Sequence, residues 1–127
     1  MSVLSEFKPF NFNEGVPYIS ITVNGITFNK SVALKLDCPH YVVLLIDMPS
    51  NRIAIQACTE DTPNAVQFCK PNQAKVSSVR WNGKDLLNTL QEMTGWDLND
   101  ASYKVTGALL RSENAILFDL NTATKLQ

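Results

Sequence analysis

Apolar and polar residues alternate from Tyr18 to Val23, with Ile19, Ile21 and Val23 on one side and Ser20 and Thr22 on the other. A period of two predicts a half-buried strand. Asn24-Gly25 follows, then Ile26 and Phe28. Asn-Gly between β-branched runs predicts a tight hairpin, because both residues tolerate positive φ. Asn29 is suited to cap a helix, its side-chain oxygen accepting a free N–H of the first turn. Val32, Ala33 and Leu36 recur at helical spacing. Pro39 limits that helix by disfavouring the α region at Cys38. Tyr41 to Asp47 is apolar at nearly every position, which predicts a strand covered on both faces. Met48 to Asn51 reads as a turn, and Arg52 to Cys58 returns with Ile53 and Ile55 on one face.

After the polar break Thr59–Pro63 the same order recurs. Ala65 to Cys69 and Val76 to Trp81 read as strands around a turn at Lys70–Lys75. Asn82 is the expected cap of a helix from Lys84 to Thr94, with Leu86, Leu87, Leu90 and Met93 on one face and Gly95 as its stop. Tyr103–Leu110 and Ala115–Leu120 are strands around the turn Arg111–Asn114. Phe28-Asn29 aligns with Trp81-Asn82, and, with Gly83 as an insertion, Lys30 aligns with Lys84 and Leu36 with Leu90. Tyr41 and Val43 align with Tyr103 and Val105, and Ser50-Asn51 with Glu113-Asn114.

The expected architecture is therefore α+β and β-rich, a tandem pseudo-repeat of two β-β-α-β-β halves at 18–58 and 65–120. An N-terminal arm (1–17), a linker (59–64) and a tail (121–127) complete the chain. A half of about fifty residues buries too little surface to stand alone, so the two are expected to share one core as a covalent pseudo-dimer. A free strand edge would favour a homo-oligomer. Phe7, Phe10 and Phe12 of the arm are expected in the core, with docking on a neighbouring chain as the alternative for Phe10 and Phe12.

Composition narrows the classes. Hydrophobic residues make up 45% of the 127, charged residues 18%, and the net charge is −1. This excludes a disordered chain, a globally basic nucleic-acid binder and an acidic tail protein. Met1–Glu14 lacks the pattern of a secretory leader and no stretch reaches membrane-span length, so no membrane partner is expected. Three cysteines, an odd count, point to reduced thiols and a cytoplasmic location.

The charge is uneven. No acidic residue lies between Asp61 and Asp85, where Lys70, Lys75, Arg80 and Lys84 surround Trp81. Basic residues on a hairpin leading to a helix N-terminus suit phosphate. Ordinary solvated lysines around a core tryptophan are the plainer and commoner arrangement. Cys38, Cys58, Cys69 and His40 reach a zinc ligand count, but without a C-x-x-C spacing they read as separate thiols. Cys38 and His40 could pair as nucleophile and base, yet nothing supplies an oxyanion stabiliser. No catalytic residue, metal or cofactor is therefore expected. Asp85 reads as a partner for the helix dipole.

Residues 18–58 resemble the AbrB/MazE-like swapped-hairpin family of bacterial transcription regulators and antitoxins. Ile26-Thr27-Phe28-Asn29-Lys30 and Val32 to Leu36 fit that family's second strand and capped helix. Pro39, Tyr41-Val42-Val43 and Ile53-Ala54-Ile55 fit its hydrophobic hairpin. Residues 65–120 follow by element order. The chain departs from the family at Asn29, where members carry proline, and at Ala33 or Leu34, where they carry a basic residue. The resemblance implies a swapped-hairpin fold and a non-enzymatic regulator contacting DNA through Lys70, Lys75, Arg80, Lys84 and Lys30. A protein-interaction or antitoxin-like module without DNA binding is the alternative, and a small Cys/His enzyme the third reading.

Overall fold

The isoleucines that alternate with Ser20 and Thr22 turn inward. Ile19 and Ile21 of strand β1 (Tyr18–Thr22) are fully buried, as are Ile26 and Phe28 of β2 (Gly25–Phe28). The computed structural model describes residues 3–8, 15–70 and 76–126. Thr22 pairs with Gly25, so the hairpin loop is Val23-Asn24 and not the expected Asn24-Gly25. Val23 is accordingly exposed, not on the buried side. Gly25 opens β2 at φ 147°, and a Cβ there would lie 2.5 Å from the Trp81 carbonyl oxygen. The glycine answers a close backbone approach as well as the turn.

Helix α1 (Lys30–Lys35) starts at Asn29 as expected. The Asn29 Oδ1 accepts from the Val32 N–H at 3.3 Å and from the Tyr18 N–H at 3.0 Å, while its Nδ2 donates to the Val16 carbonyl at 2.9 Å. One side chain thus caps the helix and fastens the chain entering β1. Val32, Ala33 and Leu36 are buried. Asp37 and Cys38 then both take left-handed backbone, with φ of 61° and 49°.

Strands β3 (Tyr41–Asp47) and β4 (Arg52–Cys58) form an antiparallel hairpin, and β5 (Val66–Gln67) pairs with β3. Strand β6 (Val79–Trp81) pairs with β2 and leads to helix α2 (Lys84–Thr94). Gly95 ends α2 in a left-handed conformation, as expected, but the N-cap is Gly83, with no side-chain bond. Asn82 sits one residue too early to cap. Strands β7 (Ser102–Leu110) and β8 (Ala115–Asp119) form the last hairpin. The segment expected as a tail instead forms a 3₁₀ turn and strand β9 (Thr124–Leu126), paired with β7.

The strand order is β5-β3-β4-β8-β7-β1-β2-β6, antiparallel throughout, with β9 beside β7. The sheet is curled. Phe68, next to β5, and Trp81 of β6 belong to opposite ends of the order, yet their rings lie 6.1 Å apart. Phe28 meets Phe68, Trp81 and Phe118 edge-on, with centroids at 5.4, 4.8 and 6.1 Å. The core lies inside the curl, and the fold is α+β and β-rich. No helix among the described residues is long and apolar enough to cross a membrane.

Two burial expectations fail. β3 is not covered on both faces: Leu45, on the outward side opposite Ala54, is 45% exposed because that side carries no second layer among the described residues, and Ile46, on the inward side opposite Ile53 near the hairpin turn, is still 40% exposed. Phe7 is 70% exposed and is not a core residue, and Phe10 and Phe12 lie outside the described residues. Where the core is full, small changes should be felt. A Cβ on Gly107 would stand 2.6 Å from Ile116 Cγ2 and 2.7 Å from Phe118 Cε1, both side chains fully buried. Gly107→Ala is expected to cost about 1–3 kcal/mol by overpacking. A urea unfolding midpoint unchanged from the parent would refute this.

Candidate nucleic-acid interface

Alternation that sends Ile19, Ile21, Ile26, Phe28 and Val105 inward must send their neighbours outward. Ser20 pairs with Lys104 on one side and with Thr27 on the other, and Thr27 pairs with Arg80. Directly paired residues share a face. The outside of the curl therefore carries one cross-strand row, Lys104–Ser20–Thr27–Arg80, extended by Thr124 of β9 opposite Lys104. At about 4.8 Å per strand, Lys104 and Arg80 stand roughly 14 Å apart with two hydroxyls between them. Tyr18, Thr22 and Thr106 lie on the same face, and none of these outward positions carries a carboxylate.

Both end cations are exposed and oriented. The Lys104 Nζ lies 4.1 Å from the centroid of the Tyr18 ring, and an Arg80 Nη2 donates to the Asn24 carbonyl at 3.4 Å. The first holds its ammonium by a cation–π contact while leaving its other side to solvent. The second fixes one edge of a guanidinium whose planar fork suits a bidentate acceptor.

The basic residues expected from the sequence spread around this row. Lys70 and Arg80 line a depression of about 320 Å³ with Phe68, Ser77, Ser78 and Trp81. Lys84 lies at the β1–β2 turn, in a smaller depression of about 190 Å³ with Val23 and Asn88. Lys30 lies at the other end of the β2–β6 pair, because Phe28 is opposite Val79. Lys75 falls outside the described residues. The structure thus brings Lys70 and Arg80 together and sets Lys30 and Lys84 at opposite ends of one two-stranded ribbon. Asp85 stands exposed in the first turn of α2, where it suits the dipole.

Sequence reasoning missed Lys104. Its alternation with Tyr103 and Val105 is visible in the chain, but its neighbours are not, since they come from β1 at the far end of the sequence. The other outward face, on β3, β4 and β8, is of opposite character. Leu45 pairs with Ala54, Ala54 with Leu117 and Leu117 with Ala108, an apolar row over four strands. It is bordered by Asp47 and Arg52, bridged at 2.7 Å, and the guanidinium holds the Asp47 carboxyl below the usual carboxylate range.

No three of the cysteine and histidine candidates converge. His40 is exposed and lines none of these depressions, and Cys58 closes β4 opposite Tyr41. Among the described residues, no group of three or more His, Cys, Asp or Glu is placed to hold a metal ion. Every buried side-chain nitrogen or oxygen described has a hydrogen-bond partner. No protein-family model, curated protein or solved structure matches this chain.

Proposed function

We propose that the chain is a non-enzymatic, DNA-associated module built from two interleaved β-β-α-β-β halves, of the kind the AbrB/MazE-like resemblance implies. The row Lys104–Ser20–Thr27–Arg80 carries the functional reading. It offers cations at both ends, hydroxyl donors between and no carboxylate, and it is flanked by Lys30, Lys70 and Lys84. The major groove of B-DNA is about 12 Å wide, so cations roughly 14 Å apart match phosphates on its two sides.

Several features support the interleaved halves. Exchanging β1 with β5, β2 with β6, β3 with β7 and β4 with β8 converts every pairing along the β5-to-β6 order into one of the same order, except β1–β2, whose counterpart would be β5–β6. The two missing partners, β5 and β6, are the ends that the curl brings together. Asn51 and Asn114 both take φ of 54° at the close of their hairpin turns. Asn51 N–H donates to Met48 and Asn114 N–H to Arg111, at 3.2 Å in both cases. Leu120 N–H donates to the Asn51 carbonyl and Ala57 N–H to the Asn114 carbonyl, each at 2.9 Å, the same bond written once in each direction. In this register Val42, not Val43, is the counterpart of Val105, and both are fully buried.

The test is binding to generic duplex DNA across a salt series. Binding at low salt is expected, with log affinity falling linearly in log salt. The double variant Arg80→Ala/Lys104→Ala should lower the magnitude of that slope by about 2, as two phosphate contacts are lost at about 0.9 each. No binding at low salt, or a slope indifferent to the double variant, would sink the reading. The apolar row Leu45–Ala54–Leu117–Ala108 favours a second reading, a protein-interaction module whose partner covers that face; a second copy of the chain would appear as a dimer in sedimentation.

A further inference from the structure

Cys38 and Cys69 are separated in sequence by a hairpin and a short strand, and the sheet register brings them together. The pairing of β3 with β5 continues beyond both strands: Phe68 N–H donates to the His40 carbonyl at 2.7 Å and Cys69 N–H to the Pro39 carbonyl at 3.0 Å. Cys69 therefore runs alongside the residues that lead into β3. Cys38 immediately precedes Pro39, with its N–H bound to the Ala33 carbonyl at 2.8 Å and its backbone left-handed at φ 49°. A non-glycine residue in that conformation is uncommon, and two in succession at Asp37-Cys38 more so. The Cys38 side chain lies close enough to the Cys69 thiol to perturb it. All three cysteines are free thiols, and Cys58 lies on the end of β4.

We propose that Cys38 and Cys69 are a redox modification site, joined reversibly into an intramolecular disulfide by exchange with a small-molecule disulfide. The contrast in burial assigns the order of events. Cys38 is half-buried and reachable, whereas Cys69 is buried. Burial, and then the neighbouring Cys38 sulfur, push the Cys69 thiol up to about 11, so it stays protonated at neutral pH and does not attack first. The Cys38 thiol loses its proton to solvent, and the thiolate attacks one sulfur of the small disulfide. A mixed disulfide forms on Cys38 and one small thiolate leaves, taking up a proton. Cys69, as its proton departs, then displaces the second small thiol from Cys38. Two protein thiols have given up two hydrogens, and the small disulfide has been reduced to two thiols. The bond ties the end of the edge strand β5, next to Lys70, to the end of α1.

The test treats the reduced full chain with oxidised glutathione at neutral pH, followed by acid quench, thiol counting and a non-reducing peptide map. The expected result is loss of two of the three thiols without a retained adduct, a cross-linked peptide pair containing Cys38 and Cys69, and full reversal by dithiothreitol. Cys58→Ser should behave identically. Cys69→Ser should stop at the mixed disulfide, with a single glutathione on Cys38. Three persistent free thiols, a bond that includes Cys58, or linkage only between chains would each overturn the proposal. The unsubstituted chain alone decides this, whatever Cys69→Ser does to folding.

Discussion

Phe28→Ala is expected to destabilise the fold by about 3–5 kcal/mol, the range for deleting a buried aromatic ring with its cavity. The ring is fully buried, and it touches Phe68 beside one end of the sheet, Trp81 at the other end and Phe118 from the middle. No other side chain has three ring partners drawn from such separate parts of the strand order among the described residues. Its loss removes packing at the point where the curl closes, so neighbouring side chains can collapse into the void only by opening the curl. A domain of this size has about 5–15 kcal/mol in total, so the loss is a large share of it. The check is the urea unfolding midpoint, with the slope compared to confirm two-state behaviour. Phe28→Leu keeps most of the volume and should lose distinctly less. A Phe28→Ala loss below about 1 kcal/mol would place the closure elsewhere.

Asn29→Ala is expected to cost about 2–4 kcal/mol, more than a helix cap alone. A lost cap contributes about 0.5–2 kcal/mol. The same oxygen also accepts from the Tyr18 N–H, and the amide donates to the Val16 carbonyl. An unpaired, partly buried backbone group adds about 1–3 kcal/mol. Asn29→Asp separates the contributions: it keeps the acceptor for Val32 and Tyr18 and loses only the donor to Val16, so it should retain most of the stability. Hydrogen exchange reads the two sites directly. The Val32 and Tyr18 amides should both lose protection in the alanine variant and keep it in the aspartate variant. Loss of protection at Val32 alone would show that the contact with β1 is dispensable.

Local chemistry was readable from the sequence wherever one element decides it. Asn29 caps α1, Gly95 ends α2, and Ile19, Ile21, Ile53 and Ile55 face inward, because each outcome depends on residues a few positions apart. The failures have local causes too. Asn82 reads as a cap until Gly83 intervenes, and Asn24-Gly25 reads as the turn until Gly25 pairs with Thr22. What the sequence could not disclose was the pairing of distant strands. Nothing near Lys104 announces Ser20 as its neighbour, nothing near Cys69 announces Cys38, and Thr124–Leu126 lacks the apolar alternation that would mark it as a strand. For the same reason the charge cluster was found by its acid-free run, while the row that joins Arg80 to Lys104 was not.

The placement of β1 also governs the route by which this sheet can assemble. β3 and β4 meet through a short turn and can pair early at little entropic cost, whereas β1 must find β7, bringing Tyr18 to Thr106 across most of the chain. Closing so long a loop costs configurational freedom before any contact repays it. Chains dominated by such distant pairings fold in about milliseconds to seconds, far more slowly than helical bundles of similar length. Until that meeting occurs the β1–β2 hairpin has Ile19, Ile21, Ile26 and Phe28 in hand with no core to receive them. The slow step of folding is therefore expected to be the moment at which β1 first joins β7.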